Sequence, residues 1–153
     1  MEFDIQEITD LSGDKARVYS VIVDGDSNTL LEQFFNDNQQ YTKELKKIIE
    51  KINVMSHVTG CRESFFKKGE GAWGDGMVAL NGTGCLRLYG IYFNNAIVLF
   101  GSGGYKPPHI RSYQQDYELN LKAQQMRAIA AEINKKIADG DLKISNDKII
   151  SYL

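Results

Sequence analysis

The chain has 153 residues, 42% hydrophobic and 25% charged, a composition typical of an ordinary globular protein of about one domain. The formal net charge is −2, so the molecule lacks the overall positive charge that is typical of many polyanion-binding proteins. No apolar run approaches the ~18 residues of a transmembrane helix, and the acidic start at Glu2 and Asp4 is unlike a signal peptide, so we predict a soluble, cytoplasmic protein.

The first predicted elements are two strands. Residues 16–23 are mainly β-branched and aromatic, and the turn sequence Asp24-Gly25-Asp26 follows them. Apolar side chains within residues 3–8 predict an earlier partner strand. Residues 11–14 connect it to the strand over residues 16–23. Both strands therefore precede the first helix.

A helix is predicted to start near Thr29, because Thr29 and Glu32 have the spacing of a capping box. Apolar residues then recur at helical spacing as far as Ile52, while lysines fill the opposite, solvated face. An unbroken helix would measure roughly 40 Å, about the width of the domain. We therefore expect a break into two helices at Asn36-Asp37-Asn38.

Glycines punctuate short apolar runs from residue 60 to residue 84, as expected of turns between strands. Residues 85–93 and 96–100 then form two β-rich runs joined by Asn94-Asn95, which predicts a hairpin whose asparagines tolerate a positive φ. Residues 96–100 are apolar throughout, so this strand is predicted to lie in the centre of its sheet with both faces covered.

The C-terminal part is predicted to hold a second amphipathic helix, capped by Asp116 and stopped by Asp139-Gly140. Residues 142–144 and 149–153 predict a small hairpin. The order of elements indicates one α+β domain over residues 1–153, with residues 140–153 as a short C-terminal extension. We expect a small, antiparallel-rich sheet, with an N-terminal helix or helix pair and a C-terminal helix packed on it.

Metal and cofactor sites are weakly indicated. His57 and Cys61 are four residues apart, but no second pair of ligands lies nearby in the sequence. The glycines of residues 69–74 match a dinucleotide fingerprint, yet no helix signal follows them. We predict no metal and no cofactor.

The charge is unevenly distributed along the chain. Residues 1–40 contain nine acidic and two basic residues, a net of −7, whereas the remaining 113 contain eleven acidic and sixteen basic residues, a net of +5. This asymmetry permits a basic face on an acidic molecule. A simply mixed surface is the alternative.

Cationic, phenolic and imidazole side chains accompany the predicted sheet and the loop that follows it. Such a mixture suits single-stranded RNA, because cations contact phosphates while aromatic rings stack on bases. The alternative is a set of solvated cations, with the tyrosines packed in the sheet. The candidates are Arg62, Lys67, Lys68, Arg87, Tyr89, Lys106, His109, Arg111 and Tyr113.

Residues 86–101, followed by Gly104-Tyr105-Lys106 and by residues 116–123, resemble the C-terminal half of RelE/HigB-type toxins. The shared pattern is an arginine-bearing strand, a short turn, an apolar strand, a glycine and lysine loop, and a helix that opens with acidic residues before an alanine. The resemblance covers about residues 60–135.

The resemblance implies a type II toxin that cleaves messenger RNA on the ribosome and is neutralised by an antitoxin protein. It implies that Arg87 and Lys106 stabilise phosphate. His109 or Tyr113 is assigned to proton transfer by chemistry and location. The expected RNA contacts are Arg62, Lys67, Lys68, Tyr89 and Arg111.

Two alternative functions remain open at this point. One is a noncatalytic protein-binding or assembly domain on the same fold, suggested by the thin basic set and the acidic first 40 residues. The other is a small hydrolase with Cys61 or Cys85 as the nucleophile, which would require a histidine such as His109 close to the thiol in space.

Overall fold

A mixed β-sheet lies at the centre of the protein in a computed structural model that describes residues 1–68, 76–109 and 116–152. The strands of this sheet are β1 (Phe3–Glu7), β2 (Arg17–Val23), β3 (Phe66–Lys68), β4 (Met77–Leu80), β5 (Leu86–Asn94) and β6 (Ile97–Tyr105). The α-helices are α1 (Leu30–Asp37), α2 (Thr42–Val54) and α3 (Tyr117–Ala138), with a π-helical turn at Met55–Thr59 and a 3-10 turn at Glu63–Phe65. A separate hairpin comprises β7 (Leu142–Ile144) and β8 (Ile149–Ser151). The α+β class predicted from the sequence is confirmed.

The sheet has the strand order β1-β2-β6-β5-β4-β3 within the described ranges. Residues 17–19 of β2 pair in parallel with residues 97–99 of β6, while β5 and β6 form an antiparallel hairpin. The prediction of an antiparallel-rich sheet is therefore corrected to a mixed sheet. The parallel pairing arises because the chain leaves β2 through two helices, reaches the far edge at β3, and returns through β6 to the side of β2.

β6 occupies the interior of the sheet, as predicted. Its residues 97–103 are buried, because helices cover both faces of the sheet. Side chains such as Leu99 contribute to a core under α3, and side chains such as Phe100 contribute to a second core under α2. Successive side chains of β6 point to opposite faces of the sheet, so this one strand contributes to both cores.

Helix α1 begins and ends where local signals predict. The Thr29 Oγ1 atom accepts a hydrogen bond from the Glu32 backbone nitrogen at 3.2 Å, and Glu32 Oε1 accepts one from the Thr29 nitrogen at 3.0 Å. At the other end of α1, Asn38 is the C-terminal cap, and its Nδ2 donates to the Phe34 oxygen at 2.7 Å. The capping box and the predicted break are both confirmed.

The turn between β5 and β6 differs by one residue from the prediction. β5 continues through Asn94, so the turn consists of Asn95 and Ala96. Asn94 Oδ1 accepts a hydrogen bond from the Ala96 nitrogen at 2.8 Å, and neither turn residue has a positive φ. The asparagine therefore stabilises the turn by its side-chain hydrogen bond rather than by adopting a left-handed conformation.

The C-terminal helix and hairpin follow the sequence prediction. Asp116 caps α3 by accepting a hydrogen bond from the Leu119 nitrogen at 2.8 Å, and Gly140 follows its end with a φ of 82°. The β7–β8 hairpin packs on the core under α3 through buried Leu142, and the Ile149 nitrogen donates to Tyr19 Oη at 3.1 Å. The tail therefore covers part of that core.

No helix within the described ranges combines the length and the hydrophobicity that crossing a bilayer requires.

Candidate functional site

Arg87 and Lys106 lie at the open end of the β5–β6 hairpin, opposite its turn. Arg87 is paired with Gly104 in the antiparallel register, and the Lys106 backbone nitrogen donates to the Cys85 oxygen at 2.7 Å. The hairpin therefore brings together two predicted phosphate contacts that are 19 positions apart in the sequence.

The Arg87 side chain is half-buried and folds back on the chain just before and at the start of β5. Its Nη1 donates to the Gly84 oxygen at 2.8 Å and to the Leu86 oxygen at 3.0 Å. These carbonyl contacts hold the guanidinium at the open end of the hairpin and fix its position there.

His109 and Lys67 extend the candidate site in different directions. His109 is exposed in a turn that includes Pro108, three residues beyond Lys106. Lys67 is exposed on β3 and lies opposite Ala79, which in turn lies opposite Tyr89. Directly opposite residues share a face of the sheet, as do residues two apart in a strand, so Lys67 and Arg87 belong to the same face.

Two more predicted contacts lie in β3 or just before it. Arg62 is exposed in the segment that precedes β3, and Lys68 is the last residue of β3. Arg111 and Tyr113 lie outside the described residues.

Tyr89 does not fit its predicted contact with RNA. Its side chain is 0% exposed and belongs to the core under α3, so its ring has no face available to a base. An aromatic residue in a strand can belong to a core or to a binding surface. Tyr89 belongs to a core because α3 covers its face of the sheet. We correct its assignment to core packing.

A groove of about 330 Å³ adjoins the end of β6, and we call it the tyrosine groove. It lies between the α1–α2 connection, β6 and the start of α3. The residues that line it include Asp37, Asn38, Tyr41, Gly103, Gly104, Tyr105, Asp116, Glu118 and Lys122. Three carboxylates and one amine among these side chains give the groove a negative character, which disfavours phosphate.

Sequence patterns did not reveal the tyrosine groove. Tyr41 fits the apolar stripe of the N-terminal helices, and Tyr105 follows a glycine-rich strand end, so nothing in the sequence joins the two. In the fold their rings are stacked, with centroids 5.1 Å apart and planes inclined by 6°.

A second depression, of about 530 Å³, lies between β1 and the C-terminal part of α3. Glu2, Asp4 and Glu132 line it together with Lys136. It is also predominantly acidic, and it contains none of the predicted site residues.

No family model, curated protein or solved structure matches the chain.

The cysteines are poor candidates for a nucleophile. Burial raises the pKa of the Cys61 thiol to about 12, and burial together with the nearby Glu44 carboxylate raises the pKa of Cys85. Both shifts favour the protonated thiol at neutral pH, whereas thiol catalysis needs the thiolate. Nor do the described residues include a group of three side chains able to hold a metal ion.

We expect iodoacetamide at about pH 7.5 to leave Cys61 unmodified in the folded protein and to modify it after unfolding in urea. The buried, protonated thiol is neither accessible nor nucleophilic. Peptide mass spectrometry measures the modified fraction, and the half-buried Cys85 provides a comparison within the same sample. Rapid alkylation of Cys61 in the folded state would contradict this environment.

Proposed function

We propose that this protein is a RelE/HigB-like endoribonuclease toxin, which cleaves messenger RNA on the ribosome and is neutralised by an antitoxin protein. The observation that supports this proposal is the proximity of Arg87 and Lys106 at the open end of the β5–β6 hairpin, with His109 three residues further along the chain. Two cations, with an imidazole three residues further along the chain, are residue types suited to chemistry at a phosphodiester.

In the proposed reaction the 2′-hydroxyl of a nucleotide attacks the adjacent phosphorus. A bond from the 2′-oxygen to phosphorus forms, the bond from phosphorus to the 5′-oxygen breaks, and the departing 5′-oxygen takes up a proton from water. His109 would act as the base that removes the hydroxyl proton, since histidine most often has this role. Arg87 and Lys106 would stabilise the negative charge that develops on the phosphoryl oxygens.

The surrounding charges restrict the proposed path of the RNA. The carboxylates of the tyrosine groove would repel the backbone on one side of β6. Lys67, in contrast, is exposed on the same face of the sheet as Arg87. We therefore propose that the RNA extends from Lys106 past Arg87 toward Lys67.

We expect induced expression of the unmodified protein in a bacterial host to arrest growth and to degrade messenger RNA. The Arg87→Ala/Lys106→Ala variant should restore growth and intact messenger RNA, because both phosphate-stabilising charges are removed. Growth curves and Northern blots measure the two effects.

Lys143→Ala/Lys148→Ala is the matched control, because it removes two exposed cations from the β7–β8 hairpin. This hairpin contacts the turn end of the β5–β6 hairpin, opposite the proposed site, where Asn94 Nδ2 donates to the Ser145 oxygen at 3.3 Å. This variant should remain toxic. Circular dichroism of the purified variants checks that both fold. Absence of arrest with the unmodified protein, or full toxicity of the folded Arg87→Ala/Lys106→Ala variant, would refute the proposal.

A noncatalytic protein-binding domain is the second candidate function. The acidic character of the tyrosine groove favours it, because such a groove suits a basic partner better than RNA. Under this alternative the expressed protein causes neither growth arrest nor RNA cleavage, and it is purified in a stable complex with a partner.

A further inference from the structure

The tyrosine groove contains a hydrogen-bond acceptor that the fold does not use. Asn38 lines the groove and is only 5% exposed. Its Nδ2 donates to the Phe34 oxygen, whereas its Oδ1 accepts no hydrogen bond from any residue in the described ranges. Asn38 Oδ1 is not one of the fully buried side-chain atoms left without a partner in the described ranges, so it retains some contact with solvent and a donor that entered the groove could bond to it.

The negative charge of the groove is only partly compensated within the fold. Asp116 stabilises the start of α3 as its cap. Asp37 instead lies in the last turn of α1, where the helix dipole is negative and the turn has no basic residue. A cation supplied from outside would relieve this unfavourable arrangement.

The aromatic wall of the groove favours a flat cation. Tyr41 and Tyr105 stack with their rings nearly parallel, and Tyr105 is 38% exposed. The face of a tyrosine ring attracts cations, and a planar guanidinium stacks on it more favourably than an ammonium group.

Packing does not require the glycine at position 104 of the groove lining. A Cβ atom at Gly104 would lie 3.7 Å from Leu119 Cδ1, which is an ordinary van der Waals distance. The missing side chain therefore leaves room in the groove itself.

We propose that the tyrosine groove binds a guanidinium group, which would stack on the tyrosine pair and donate to Asn38 Oδ1 and to the Asp37 carboxylate. The volume of about 330 Å³ is at the lower end of the range for ligand sites and suits one such group. The group can belong to a free arginine-like molecule or to an arginine side chain of a partner protein. The inference does not depend on ribonuclease activity.

Isothermal titration calorimetry of the full chain tests the proposal with two capped amino acids. N-acetyl-arginine-methylamide should bind at least tenfold more tightly than N-acetyl-citrulline-methylamide, which has nearly the same shape but no charge. The peptide Gly-Gly-Arg-Gly-Gly distinguishes the sources, because tighter binding of the peptide indicates a partner protein and equal binding indicates a free small molecule. Absence of arginine binding, or equal binding of citrulline, would overturn the proposal.

Variants then locate the binding site. Asp37→Asn/Asp116→Asn should weaken arginine binding at least tenfold, while asparagine preserves the cap of α3. Asp10→Asn/Asp14→Asn is the matched control, because it removes two exposed carboxylates outside the groove and should leave the affinity unchanged. Gly104→Ala should weaken binding by filling the groove, and Tyr105→Leu tests the aromatic wall independently. Unchanged affinity in the groove variants would overturn the assignment.

Discussion

Replacement of Gly103 by alanine is expected to lower the free energy of unfolding by about 3 kcal/mol or more. A Cβ atom at this position would overlap the carbonyl oxygen of Arg87 and lie 3.0 Å from the Leu88 Cα. Both obstacles are backbone atoms of the paired strand, so no side-chain rotation relieves the overlap. The β5–β6 hairpin would have to separate locally, beside the irregular register between Leu88 and Gly90.

Gly104→Ala is the matched control for this prediction, since it makes the same substitution one residue further along β6. Its Cβ atom meets only Leu119 Cδ1 at an ordinary distance, so we expect a stability change within about 0.5 kcal/mol. Urea unfolding followed by circular dichroism gives both free energies. Equal unfolding midpoints for the two variants would show that Gly103 is not constrained by the paired strand.

Local sequence signals were sufficient for several helix boundaries. The Thr29 and Glu32 pair, the Asn36-Asp37-Asn38 break and the Asp116 cap each act through hydrogen bonds between residues close in sequence. Such signals are readable because the partners are fixed by helical spacing.

The strand pairing was less predictable, because it joins segments that are distant in sequence. The parallel contact of residues 17–19 with residues 97–99 leaves no local pattern in either segment. Its existence follows from the path of the whole chain through the helices and the far edge of the sheet. A mixed sheet could therefore not be distinguished from an antiparallel-rich one.

The candidate site was predictable to the extent that one hairpin builds it. Antiparallel pairing of two adjacent runs brings Arg87 and Lys106 to the same end, whatever the remainder of the fold. The burial of Tyr89 depends on α3, and the stack of Tyr41 on Tyr105 depends on the α1–α2 connection. These tertiary contacts decide which aromatic rings are accessible.

Replacement of Phe100 by alanine is expected to cost about 3–5 kcal/mol of stability, because it empties a large volume in the core under α2. Phe100 is 0% exposed on β6. Its ring centroid lies 6.1 Å from that of Phe66 on the edge strand β3. Its Cδ1 would be 3.2 Å from a Cβ at Gly90, so the ring also packs close to the β5 backbone. The truncation therefore removes contacts that join three strands, and neighbouring backbone cannot easily fill the cavity.

Two further variants separate cavity formation from the mere loss of an aromatic ring. Phe100→Leu preserves most of the volume and should cost less than half as much as alanine. Tyr117→Ala removes an aromatic side chain that is 78% exposed at the start of α3, so its effect should stay within about 0.5 kcal/mol. Urea unfolding under the same conditions ranks the three. If Phe100→Ala were no less stable than Tyr117→Ala, β6 could not be the buried central strand on which both cores and the geometry of the candidate site depend.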